Sequence, residues 1–379
     1  MLACEPTASE TAAPDARFPP PPPPGTLSLV STITVPSNYG LHDTFVRDGI
    51  AYLCIWDSGV RLLDVGGGDR GGTPEMPVTM TTFVPSRGSV PSPAIHNAWY
   101  FNNTVQGEGR YLFLGQEGPG TVGSSASGDL KVVRLGVLQP AEVASYRLPG
   151  AGAHNFWMNE PGQVLYAAFY NGGVVALDVS GSLSGDLAAR EIARVRPGGD
   201  ATYVWGVMLA GNHLYAIDML SGLWQLDPET LDPVGGGNNV SERYSSDLWI
   251  HGGYAYTGTW GNRGGIRGDA VKIWQLSPTG APTLVDSIKV DGITTVSDVQ
   301  VSGDGTLLVF SAEGPTDAGL YVYRLTDPRN PVRVGYDNVF QGIHTVTVAR
   351  VGSRLYAFAA RNPPTPALLI YDLTELINP

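Results

Sequence analysis

The chain is 379 residues long, with 42% apolar and 15% charged types, 49 glycines and 30 prolines. Its net charge is −12 and it holds only three lysines, which leaves no basic footprint for nucleic acid. Glycine lacks the three-residue period of collagen, and the apolar content exceeds that of a disordered chain. The length therefore implies a large buried core.

The N-terminus begins Met1-Leu2-Ala3-Cys4. Small residues ahead of a cysteine resemble the lipobox of bacterial lipoproteins, with the charged and apolar parts of a signal peptide missing upstream. Residues 5–25 are rich in Pro, Ala, Ser and Thr and include Pro19 to Pro24 in a row. Such a segment reads as a polyproline spacer between an acylated Cys4 and a folded domain. The expected organisation is a lipobox-like start and linker over 1–26 and a folded domain over 27–379. No run of 18 apolar residues predicts a membrane-spanning helix. The second cysteine, Cys54, lies in an apolar strand pattern, so no disulfide is implied.

From residue 27 the chain repeats itself. LSLVSTITVP (27–36) reads as a lone strand. The first full unit is LHDTFVRDG-IAYLCIWDSG-VRLLDV (41–65), two strands joined by Asp-Gly and a third after Asp-Ser-Gly. Six relatives follow, over 95–135, 153–179, 204–227, 246–276, 297–325 and 343–373. Their opening residues are His42, His96, His154, Trp205, Ser246, Ser297 and His344, spaced 41 to 58 apart. More polar fourth strands lie at 142–150, 191–198, 283–290 and 331–339. Units of this length with three or four strands predict an all-β, seven-bladed β-propeller. The seventh unit stops after its third strand, so the segment 27–36 is expected to complete it and close the ring.

The units resemble the LVIVD repeat. LYVYRLTDPRNPVRVG (320–335) carries Asp327-Pro328 and Pro331-Val332, and AYLCIWDSGVRLLDV (51–65) and LYAAFYNGGVVALDV (165–179) follow the same pattern. The resemblance covers about 27–376, and most other units lack the Asp-Pro exit. It implies an extracytoplasmic protein of the bacterial cell envelope and no settled activity.

The strand order places the opening residues and the turns after second strands on one face. Four of the six histidines, His42, His96, His154 and His344, occupy the opening position, in blades that are contiguous once the ring closes. Converging imidazoles suit one transition metal ion, Fe, Cu or Zn. The same position also suits a structural device, in which the polar residue bonds the next blade's backbone. Asp247 and Asp298 follow Ser246 and Ser297 and belong to that pattern. Near the second turns lie Asp57, Glu117, Trp260 and Glu313, carboxylates and a ring placed to face the imidazoles. Trp205 is expected at the channel and Trp56 inside a blade. The Gly-rich insertions 117–129 and 261–269 project from this face.

Two functions fit this pattern. One is an envelope-tethered binding or scaffold module, touching the membrane only through Cys4 and using the His-bearing face for a protein or glycan. The other is a metal-dependent enzyme, an oxidoreductase by its ligand set, with the four histidines as ligands.

Overall fold

A computed structural model describes residues 25–103, 109–136, 139–278 and 280–377. Cys4 and the proline run lie outside the described residues. Alternating apolar segments punctuated by Gly, Asp and Asn fold as four-stranded antiparallel meanders. The first blade runs Leu41–Arg47, Ile50–Ile55, Gly59–Asp64 and Val78–Phe83, hydrogen-bonded in that order. Asp48 and Gly49 form its first turn with φ of 51° and 70°, the geometry that matches strand twist in a two-residue hairpin. A Cβ on Gly49 would lie 2.3 Å from the Gly67 nitrogen, so only glycine fits.

Seven such sheets form the ring, and their innermost strands are the first of each unit. Second and third strands are buried on both faces because blades pack on either side. Ile50–Ile55 and Leu307–Glu313 are near-continuous apolar runs for that reason. Among the described residues the buried apolar side chains group into seven clusters, six of which join two adjacent blades, while the other also reaches Ala126 and Tyr170 of neighbouring blades. Cys54 is buried in the cluster between the first two blades.

Ring closure follows the expected route. Ser28–Thr34 pairs antiparallel with Ala367–Asp372 and becomes the outer strand of the seventh blade, with Leu29 opposite Tyr371 and Ile33 opposite Leu368. Ahead of it, Gly25–Thr26 runs parallel to Val332–Asn338, the outer strand of the sixth blade. Two outer strands lacked a sequence signal. Val78–Phe83 is mostly exposed or half-buried, and Pro233–Gly236 has almost no side chains to pattern. Among the described residues the one α-helix is Thr374–Ile377, a single turn.

Candidate functional site

The opening position is a bulge. In the first blade Leu41 pairs with Ile55 and Asp43 with Cys54, so His42 has no partner of its own. The same slip isolates His96 between Ile95 and Asn97, and Trp205 between Val204 and Gly206. It recurs around Ser246, Ser297 and His344. A bulge re-aims one side chain out of the pleat, and here it turns the opening residue toward the axis.

The four imidazoles meet there. Ring centroids are 4.4 Å apart for His42 and His96, 3.8 Å for His96 and His154, and 4.2 Å for His42 and His344. The structural device and the candidate metal site divide these positions between them. The Ser246 hydroxyl donates to the Val296 carbonyl at 2.5 Å, the Ser297 hydroxyl donates to the His344 carbonyl, and His154 Nδ1 lies 2.6 Å from the Trp205 carbonyl. With Nδ1 tied, His154 keeps Nε2 free, buried and without a hydrogen-bond partner among the described residues. His344 is tied through Nδ1 to Glu313 Oε1 at 2.6 Å. His42 and His96 have no backbone partner for Nδ1. Their Nε2 atoms face one oxygen of Glu117, at 3.5 and 3.8 Å.

His42, His96 and Glu117 therefore offer three ligand atoms within 4.8 Å of one another. Ligands about 2.1 Å from one ion in a tetrahedron lie about 3.4 Å apart, so the two imidazole–carboxylate spacings, 3.5 and 3.8 Å, are within a few tenths of an ångström of a metal's. A carboxylate or carbonyl on the far ring nitrogen, as His344 and His154 have, is how metal-binding imidazoles are usually oriented.

Electrostatics agree with this chemistry. Burial, together with the neighbouring imidazoles, holds His42, His96 and His154 well below the ordinary histidine range, so they are neutral near pH 7. For His344 burial acts the same way, but the Glu313 carboxylate outweighs it and the net shift is upward. Burial pushes the Glu117 carboxyl up to about 7, against a hydrogen bond donated by the Tyr170 hydroxyl to Oε1.

Seven residues occupy the ends of the second strands, each at the last strand residue or within two residues after it: Trp56, Glu117, Tyr170, Met219, Trp260, Glu313 and Arg361. The first five line a cavity of about 270 Å3 that opens above the imidazoles, with Tyr203 and Trp205. Trp205 lies 4.3 Å from His154 and 4.9 Å from Trp260, and Tyr170 stacks on Tyr203 at 4.5 Å. Trp56, expected inside a blade, instead stacks on His42 at 4.8 Å. Asp57 is one residue past Trp56 and takes no part in this set. Its carboxylate accepts from the Ser58 hydroxyl within its own turn and from the Asn38 amide in the loop ahead of the blade. Sequence reasoning missed Tyr170 and Tyr203. Aligning the second strands by their apolar pattern puts Tyr170, two residues past Ala168, at the position of Trp56 and Glu117, and nothing in the repeat marks Tyr203.

Asp247 and Asp298 lie on the other side of the imidazole layer, in a channel of about 220 Å3 with Asp43 and Asn155. They hold blades together rather than imidazoles. Asp247 accepts from Asn155 Nδ2 at 3.0 Å and the Val299 amide at 3.4 Å, and Asp298 accepts from the Val346 amide at 2.7 Å. The two insertions are anchored. In the first, Gly118 and Ser127 exchange backbone hydrogen bonds, and the Gly120 amide donates to the Tyr203 hydroxyl at 3.2 Å. In the second, Arg263 Nη1 donates to the carbonyls of Leu220, Val240 and Arg243. Of the remaining histidines, His213 and His251 sit at first hairpins on the opposite face.

No family model matches the sequence, and no curated protein matches it. Solved structures match in shape. A chain of the mitotic checkpoint complex aligns with a TM-score of 0.64 at 12% identity, over 98% of this chain and 99% of that one. The β-propeller domain of Myceliophteria thermophila Cps50 (Swd1) aligns at 0.62 and 12%, over 92% and 100%. The WD40 propeller domain of Doa1 aligns at 0.59 and 9%, over 91% and 96%. At such identities the likeness is one of fold, and it agrees with the blade count: this chain is a seven-bladed β-propeller.

Proposed function

We propose that the protein is a binding propeller built around one divalent transition metal ion at its axis, held by His42, His96 and Glu117. His154 packs against His96 and His344 against His42 in the same layer. The observation that carries this reading is the buried convergence of the His42 and His96 Nε2 atoms on one oxygen of Glu117, at 3.5 and 3.8 Å, distances long for a hydrogen bond. Leaving a buried polar atom without a partner costs about 1–3 kcal/mol. A cation between these atoms would satisfy them together, and the buried, unpartnered Nε2 of His154 lies in the same imidazole layer.

The wider setting belongs to the same proposal. An LVIVD-type propeller with a lipid on Cys4 would sit on the envelope, and the His-bearing face would meet a protein or glycan there. The appearance of one structural neighbour within the mitotic checkpoint complex favours a protein partner over none. The aromatic cavity beside the ligand set favours a second reading, a metal-dependent oxidoreductase, in which the cavity excludes water from a metal with an open position.

Metal content of the untagged protein, measured by inductively coupled plasma mass spectrometry, tests the centre. About one transition ion per chain is expected, with loss in a His42→Ala, His96→Ala double variant and affinity lowered by at least about tenfold in Glu117→Gln. If supplemented wild type holds no metal while the variants differ only in stability, the histidines are structural and the proposal falls.

A further inference from the structure

We infer that the cavity above the imidazole layer receives one small, planar, uncharged aromatic molecule carrying a hydroxyl group, a ligand of the phenol class. The inference deepens the metal-centre proposal and rests on it only for what lies at the cavity floor.

Size sets the first bound. A cavity of about 150 Å3 is enough for benzene, so about 270 Å3 accommodates one substituted ring or a fused pair and excludes an oligosaccharide. The walls set the second. Trp56, Tyr170, Tyr203, Trp205 and Trp260 present five rings; Tyr170 and Tyr203 stack at 4.5 Å, and Trp205 and Trp260 meet tilted at 4.9 Å. Aromatic faces favour another flat ring, in offset or edge-to-face contact.

Polarity sets the third. The polar groups gather at one end, where Glu117 meets the imidazoles, while Met219, Pro119 and Val122 complete the apolar wall. A sugar needs hydrogen-bond partners around its whole rim, and burying hydroxyls without them is costly. A cation would face the divalent ion of the proposed centre. A single hydroxyl fits: Glu117 Oε1 is taken by Tyr170, whereas Oε2 faces two imidazole nitrogens at distances long for a hydrogen bond, and an oxygen that holds an ion through one lone pair keeps a second for one hydroxyl donor.

Titration calorimetry with 4-methylphenol, toluene, cyclohexanol and methyl glucoside tests this, on zinc-loaded and on chelator-stripped protein. We expect 4-methylphenol to bind the zinc-loaded protein at least about tenfold more tightly than toluene or cyclohexanol, and the glucoside to give no heat. Trp260→Leu, or Trp56→Leu should the first variant not fold, should weaken 4-methylphenol by a similar factor. Equal or better binding of cyclohexanol or the glucoside overturns the inference. So does the absence of phenol binding in folded protein that carries one zinc per chain, an outcome that leaves the metal centre standing. Phenol binding by a protein that takes up no metal does the reverse: it upholds the cavity assignment and removes the centre.

Discussion

Asp64 accepts hydrogen bonds from four backbone amides, those of Gly66, Gly68 and Arg70 at 2.9 Å and Gly72 at 3.2 Å. Burial works against its charge, but the four donors outweigh it and lower the carboxyl to about 2. Glu117 has the opposite surroundings. One neutral phenol and two neutral imidazoles face it, so burial dominates and its pKa rises. A carboxylate that folds a loop and one suited to a cation are thus distinguished by their donors, not by residue type. Asp64 pairs with Ile50 beside the first hairpin, at the far end of its strand from the imidazoles. Replacing it by alanine would leave four amides to find other partners, at a cost of about 2–4 kcal/mol. A urea titration of Asp64→Ala should therefore show a clearly lower midpoint with unchanged metal content. A midpoint within error of wild type would mean that the loop holds without its carboxylate.

At the scale of the strand, the repeat is legible where neighbours press on both faces. Second and third strands such as Ile50–Ile55 and Leu368 to Tyr371 read as apolar runs because adjacent blades bury them. Outer strands face solvent, and Pro233–Gly236 carries no pattern to read. The site was legible to the same degree. Histidine is scarce, so four at one repeat position stood out, but the bulge that turns them inward is a property of backbone pairing with no residue signature. Of the expected turn residues, Glu117, Trp260 and Glu313 fall at the ends of second strands, and Asp57 is one residue past Trp56, which holds that place in its unit. Ring closure was readable from a missing fourth strand and a spare one. Its consequence is a test: removing residues 25–34 would strip Ala367–Asp372 of its neighbour and expose an edge. The truncated protein should melt lower and elute from a sizing column as dimers or aggregates. A monomer of wild-type stability would show that the closing strand is dispensable.

Across the whole molecule, the central channel sets groups of opposite titration against one another. His42, His96 and His154 have lowered pKa values. Below about 6.5 the unfolded chain binds protons that these buried rings refuse, so their contribution to stability is lost as pH falls. Asp298 is raised by burial and by the neighbouring Asp247, with Asp43 and His344 also within its field. Its neutral form is the folded form, so from about pH 4 upward the unfolded chain holds fewer protons than the native one, and stability falls as pH rises. His344, raised on balance by Glu313, loses its contribution in the same direction as pH climbs through its folded pKa. Below about 6.5 the histidine and carboxyl slopes oppose each other. Above it the three rings are neutral in both states and only the downward slope remains. Chelator-stripped protein should therefore lose stability steadily from about pH 6.5 to 8.5. Asp298→Asn keeps an acceptor for the Val346 amide but removes the titrating group, and should flatten the slope by up to one proton, about 1.4 kcal/mol per pH unit. Denaturant midpoints of the two proteins across that range decide it: parallel profiles would mean that Asp298 is ionised in the folded channel, and that the channel tolerates a charge its surroundings disfavour.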